Sequence, residues 1–197
     1  MPPPADGELI ERILQNDLQA FDQLFIRYKN SVYRFAFYLT QNRNEADDLF
    51  QETWLRVVKN LVSTTMIKNF KAWIFTIITN LHRNELRKRR IRRLFHSQKR
   101  VESDMMNDKN QQLEPVVVPN VGDTSESIEI DIALKAAIKT LPPKQRQIFI
   151  LKEVEGFKYT EISKILKLPV GTIKSQLHRT IKHLQKELAD FHNNQNF

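Results

Sequence analysis

Lys174, Ser175, His178, Arg179 and Lys182 recur at intervals of one, three and four residues within "KSQLHRTIK", a spacing that gathers them on one side of an α-helix. What the set offers is binding chemistry: a guanidinium can give two hydrogen bonds to a guanine edge, an ammonium can meet a phosphate, and a hydroxyl or imidazole can do either. A second set, Thr76, Asn80, Arg83, Asn84 and Arg87, forms another helical stripe and runs into "RKRRIRR". Amides beside arginines, with Trp73 at the boundary, suit a single strand whose unstacked bases expose their edges. A third set places Asp48, Gln51, Glu52 and Lys59 around an outward Leu55. Such a face is ordinarily no more than solvated surface.

Composition narrows the chemistry further. The 197-residue chain has no cysteine, which excludes disulfides, thiolate metal sites and thiol redox switching, and its five histidines fall in no metal-ligand spacing. No cofactor or metal is expected, and no catalytic residues. No run approaches the roughly 18 apolar residues of a membrane span, and "MPPPADGELI" lacks the charged start and apolar run of a signal peptide, so a cytoplasmic location without membrane insertion is expected. The net charge of +8 is distributed as +6 over 1–96, −3 over 97–127 and +5 over 128–197. Two basic blocks therefore flank an acidic connector.

The elements that must position these residues are helices. Four glycines and 41% apolar residues favour an all-α fold. The connector "SQKRVESDMMNDKNQQLEPVVVPNVGDTSES" is too polar to form a core. The expected architecture is two small helical domains, 1–96 and 128–197, joined by a flexible linker, 97–127. In the first, a helix starting at Asn44 buries Ala46, Leu49, Phe50, Thr53, Trp54, Val57 and Val58. Another, Phe70 to about Arg90, buries Phe70, Ile74, Ile77, Ile78 and Leu81. In the second domain, "IEIDIALKAAIKTL" stops at Pro142-Pro143 and "KQRQIFILKEV" ends near Gly156. Tyr159 to Leu168 and a helix beginning near Pro169 complete it, the last burying Val170, Ile173, Leu177, Ile181, Leu184 and Leu188. A short helix, a tight turn and a second helix with an exposed basic face make a helix-turn-helix, whose second helix fits the major groove.

The stretch "LPPKQRQIFILKEVEGFKYTEISKILKLPVGTIKSQLHRTIKHL" resembles the C-terminal promoter-reading domain of the extracytoplasmic-function sigma factors of bacterial RNA polymerase. "FDQLFIRYKNSVYRFAFYLTQNRNEADDLFQETWLRVVKNL" resembles the family's polymerase-binding segment, and "FKAWIFTIITNLHRNELRKRR" its bubble-melting segment. Together they span about three quarters of the chain in family order. The resemblance implies that Asp48, Gln51, Glu52 and Leu55 dock on a coiled coil of the largest subunit of core RNA polymerase. It implies minus-ten contacts from Lys68, Asn69 and Lys71 around the loop before Phe70, and from Asn80, Arg83, Asn84, Arg87 and Lys88 along the helix that Phe70 begins. Thr172, Lys174, Ser175, His178, Arg179 and Lys182 are the implied minus-thirty-five contacts. Promoter DNA is then a partner both as duplex and as melted single strand, an anti-sigma protein is a further partner the family often uses, and a monomer is expected when free.

Some positions depart from the family pattern. Thr65 and Met66 stand where an Arg-Gly pair is common, Lys158 where a capping serine is usual, with Thr160 as a substitute cap one turn later, and Gln176 where arginine is frequent. Lys167 replaces the turn glycine, so it is expected in a left-handed conformation at a cost of about 1 kcal/mol. Two other functions share some of these features. A free-standing helix-turn-helix regulator would ordinarily dimerise on a palindrome, and no heptad seam is evident. A DNA recombinase would need a nucleophilic serine or tyrosine beside clustered arginines, and the arginines of "RKRRIRR" fall in a helical tail without an evident nucleophile.

Overall fold

The computed structural model describes residues 3–61, 67–97 and 136–194, and every regular element among them is helical. Helix α1 (Asp6–Leu14) leads to α2 (Leu18–Thr40), α3 (Arg43–Leu61) and α4 (Phe70–Ser97). Residues 136–140 are helical. Helix α5 (Pro143–Phe149) then runs straight into a π turn (Ile150–Val154), followed by α6 (Tyr159–Leu166) and α7 (Val170–Asn194). Apart from Ser97 the expected connector lies outside the described residues, as do 128–135 and the loop with Thr65 and Met66.

Local chemistry sets the boundaries. Asp17 caps α2, its Oδ1 accepting from the Gln19 and Ala20 amides at 2.9 and 3.2 Å. Helix α2 stops where Gln41 turns left-handed at φ 55°. The cap of α3 is Asn42, which accepts from the Glu45 amide at 3.1 Å, rather than the expected Asn44, already inside the first turn. Asn69 does the same for α4 through the Ala72 amide at 2.9 Å. Helix α4 continues seven residues past the expected end at Arg90, with nothing in "IRRLFHS" to break it.

Leu24, Val32, Phe35 and Ala36 of α2 pack against Leu49, Trp54 and Val57 of α3 and Phe70, Ile74, Phe75 and Ile78 of α4. Ring pairs tie these helices, Phe25 to Trp54 at 4.8 Å and Phe35 to Phe75 at 5.0 Å between centroids. Each buried aliphatic or aromatic side chain contributes roughly 1.5–3 kcal/mol. Val58, expected in this core, is 50% exposed. The inward line of α3 runs Ala46, Leu49, Thr53, Val57 and Leu61, which leaves Val58 beside Leu55 on the outside.

In the C-terminal half the inward line of α7 runs Ile173, Leu177, Thr180 and Leu184, not through Ile181, which is 37% exposed. Thr180 tolerates full burial because its Oγ donates to the Gln176 carbonyl at 2.8 Å. The turn before α7 keeps helix-turn-helix geometry without glycine: Lys167 is left-handed at φ 56°, as expected. Ser163 Oγ donates to the Leu168 carbonyl at 2.6 Å and stiffens it. At the start of α6 the expected Thr160 cap gives way to Glu161, whose carboxylate accepts from the Lys158 amide at 2.8 Å.

The two halves pack together. Arg146 of α5, almost fully buried, donates to the Tyr38 carbonyl of α2 at 3.0 Å and to the Leu141 carbonyl at 2.7 Å. Burial pushes its guanidinium below the usual arginine range. Gln41 donates to the Lys139 carbonyl at 2.9 Å, and the Phe75 and Phe157 rings meet edge to face at 5.2 Å.

Candidate nucleic-acid and partner interfaces

On α7, the burial of Ile173, Leu177, Thr180 and Leu184 turns the remaining sides of the helix outward. Thr172, Lys174, Ser175, His178, Arg179 and Lys182 are all exposed. Ser175 Oγ is held by the Thr172 carbonyl at 3.0 Å, and Lys174 lies over the Tyr159 ring. Among the described residues His178, Arg179 and Lys182 have no ion-pair partner, so their hydrogen-bonding groups face solvent. A Cβ built on Gly171 would meet nothing within 4 Å, so this end of the helix is also open.

The N-terminal sets divide differently. Leu55 is 65% exposed on α3, with Asp48 and Gln51 exposed and Glu52 half-buried beside it. Glu52 accepts from Arg56 one turn on at 2.8 Å, a surface pair that adds little stability. The sequence missed that Val58 joins Leu55, because a smooth 100° periodicity does not reveal how α3 is rotated against its neighbours. A groove of about 850 Å³ runs between α3 and α4, and its lining includes Asp48, Glu52 and Arg56 on one wall and Asn84, Arg87 and Lys88 on the other. Acidic and basic candidates therefore share one cleft.

Along α4, Arg83, Asn84, Arg87 and Lys88 are exposed, and Asn80 accepts a hydrogen bond from Arg83. Arg89 is anchored to Glu45 of α3 at 2.7 Å, which fixes the path of the basic tail and holds the arginine firmly charged. Behind the tail His82 is buried, and loss of hydration pushes its imidazole below the usual histidine range. Trp73 is half-buried and its ring packs 5.7 Å from Phe70, on the boundary where the sequence put it.

The loop candidates are not all free of partners. Lys68 and Asn69 are both exposed, and Asn69 Nδ2 donates to Glu161 of α6 at 3.0 Å. Lys71 Nζ donates to the Glu155 carbonyl at 2.6 Å and lies 5.1 Å from the Phe157 centroid. The C-terminal half thus occupies two of the eight candidates for minus-ten contacts. Nothing in the sequence around Asn69 or Lys71 signals these partners, which lie 92 and 84 residues away.

Among the described residues no three His, Cys, Asp or Glu side chains gather as a metal site, and no helix is long and apolar enough to cross a membrane. The sigma-70 region 2 family matches residues 24–92, and the sigma-70 region 4 family matches 131–184. The chain is 29% identical over 181 residues to the ECF RNA polymerase sigma factor SigW of Bacillus subtilis, covering 92% of this chain and 95% of that protein. It is 36% identical over 149 residues to the ECF RNA polymerase sigma factor EcfG of Rhodopseudomonas palustris, covering 76% and 74%. Its fold is similar to the sigma factor RpoE of Bartonella quintana, solved in complex with the anti-sigma factor NepR. That match has a TM-score of 0.62 at 27% identity over 86% of this chain and 96% of that one.

Proposed function

The chain belongs to the extracytoplasmic-function sigma factors, which join core RNA polymerase and direct it to promoters, and from that premise we propose how its surfaces divide the work. Residues 1–96 and 128–197 act as separate units on a linker of 97–127. The patch of Asp48, Gln51, Glu52 and Leu55, extended by Val58, docks on the coiled coil of the largest polymerase subunit. Its carboxylates set orientation and on-rate, and its apolar pair is buried at the centre. Helix α7 enters the major groove of the minus-thirty-five element. Asn80 and Asn84 take unstacked minus-ten bases while Arg83, Arg87, Lys88 and Lys68 hold the phosphates.

One observation carries this reading most directly: all six minus-thirty-five candidates are exposed on α7, while Ile173, Leu177, Thr180 and Leu184 of the same helix are core. Duplex and single-strand contacts about two helical turns apart stand roughly 70 Å from one another. A 31-residue linker reaches at most about 100 Å and averages about 30 Å as a free coil. The polymerase therefore holds it extended, and Asn69 and Lys71 are released from α6 and the π turn as the halves part.

The protein works in the cytoplasm as a positional factor, a monomer when free, without cofactor or metal and without catalysing a reaction itself. The RpoE structure with NepR supports a further partner of the same kind, an anti-sigma protein covering these faces. The test is reconstitution with purified sigma-free core polymerase. Promoter-dependent RNA is the expected result, and promoter binding by the chain alone without stimulated initiation would favour a free-standing regulator.

A further inference from the structure

Tyr159 opens α6, and two ammonium groups lie over its half-buried ring. Lys152 Nζ stands 5.2 Å from the centroid and Lys174 Nζ 5.6 Å. The three residues come from three successive elements, the π turn, α6 and α7. Both distances fall within the roughly 6 Å over which the negative face of an aromatic ring holds a cation. Carboxylate pairing does not explain the placement, since among the described residues neither lysine has an ion-pair partner. Two like charges gathered at one ring repel each other, and an anion approaching them relieves that repulsion. The cluster stands at the start of the recognition helix, where a duplex would bring its phosphates.

We propose that Tyr159 is a positioning residue for minus-thirty-five reading. Its ring holds Lys174 in line with the base edges and holds Lys152, absent from the sequence-based candidates, against a flanking phosphate. A lysine has a long, flexible stem that must be ordered when it binds. The ring does part of that ordering before DNA arrives, which improves affinity without adding a contact. The inference rests on α7 being the helix that enters the groove.

The experiment measures holoenzyme binding to cognate and scrambled minus-thirty-five duplexes across a salt series. Tyr159→Phe keeps the ring and is expected within about twofold of wild type. Tyr159→Leu is expected to lose about three- to tenfold on the cognate duplex, less on the scrambled one, and to add nothing to that discrimination once Lys174→Gln is present. Lys152→Gln is expected to weaken both duplexes alike and lower the salt slope by about one. A Tyr159→Phe loss as large as that of Tyr159→Leu would assign the role to the hydroxyl and overturn the proposal, as would a Tyr159→Leu variant that binds like wild type. If Tyr159→Leu fails to fold by circular dichroism, Tyr159→Phe and Lys152→Gln decide, and an unchanged salt slope in Lys152→Gln overturns it. Arg179→Ala is the control. Discrimination lost in Arg179→Ala but not in Tyr159→Leu defeats only this inference, and discrimination unchanged when Lys174, Ser175, His178 and Arg179 are all replaced by alanine defeats the reading of α7 itself.

Discussion

Arg34 of α2 and Glu155 at the end of the π turn, 121 residues apart in sequence, meet with Nη2 and Oε1 separated by 2.8 Å. The Glu155 side chain is 1% exposed and a second cation, Lys71 of α4, stands 3.4 Å from its other oxygen. A buried carboxylate flanked by two cations of the other half is the polar centre of the packing between the halves, and its partners still reach solvent.

Removing that carboxylate leaves Arg34 and Lys71 without the charge that holds them across the joint. Glu155→Ala is expected to weaken the packing between the halves by about 1–3 kcal/mol, with each half keeping its own core. Small-angle scattering should show a larger radius of gyration with unchanged helicity. An unchanged radius would mean that Arg146 and the Phe75–Phe157 contact suffice.

Reversing the chemistry of the α3 patch should detach the protein from polymerase. Leu55→Arg with Glu52→Arg is expected to abolish co-purification with core enzyme, because both side chains lie outside the core and the double variant still folds. Undiminished co-purification would remove this face from the docking surface.

Asn80 borders the core without entering it, so its loss should spare folding. Asn80→Ala is expected to reduce permanganate reactivity of minus-ten thymines more than it reduces initial duplex binding. Equal loss in the two assays would make Asn80 a general docking residue.

Arg179 and Lys182 lie one turn apart on α7 and should separate base reading from phosphate attraction. Arg179→Ala is expected to cost about 1–3 kcal/mol on the cognate duplex and much less on a scrambled one. Lys182→Ala should weaken both alike and lower the salt slope by about one. Equal losses for Arg179→Ala would move base readout to Lys174, Ser175 or His178.

His82 gives the stability a pH dependence. Burial holds its imidazole below the usual range, Arg89 and Arg146 push in the same direction, and Glu45 opposes them. Below the unfolded value of about 6.5 the unfolded chain binds a proton that the folded chain refuses. The contribution of a neutral His82 is therefore complete above that value and is lost as pH falls toward the folded one. Urea midpoints at pH 7.5 and 5.5 should differ less in His82→Leu than in wild type.

Periodicity made the helices and the helix-turn-helix legible, and the left-handed Lys167 followed from the family resemblance, since it stands where the family's turn has glycine. Residues at the edges of apolar stripes were not legible. Val58 and Ile181 satisfy a 100° repeat but fall outside the core, since the rotation of a helix is set by what it packs against. Asn44 gave way to Asn42 as a cap because the two offer the same side chain two residues apart. "KQRQIFILKEV" read as one helix although it changes to a π turn at Ile150, a shift no propensity marks. The candidate faces on α3 and α7 followed from which sides were apolar. The engagement of Asn69 and Lys71 by the C-terminal half did not, because it depends on how distant segments meet.

The π turn places Lys152 and Glu155 three residues apart on one wide loop of backbone, closed by the Glu155 amide on the Ile150 carbonyl at 2.9 Å. One of the two ends at the aromatic ring beside the recognition helix and the other at the joint between the halves. A wide turn of this kind is a helix carrying one surplus residue. Deleting a residue there would restore an ordinary α-helix and rotate everything beyond it, so Lys152 and Glu155 could not both keep their partners. That extra residue lets one short turn face two ways, toward the ring at one position and toward the joint at the other.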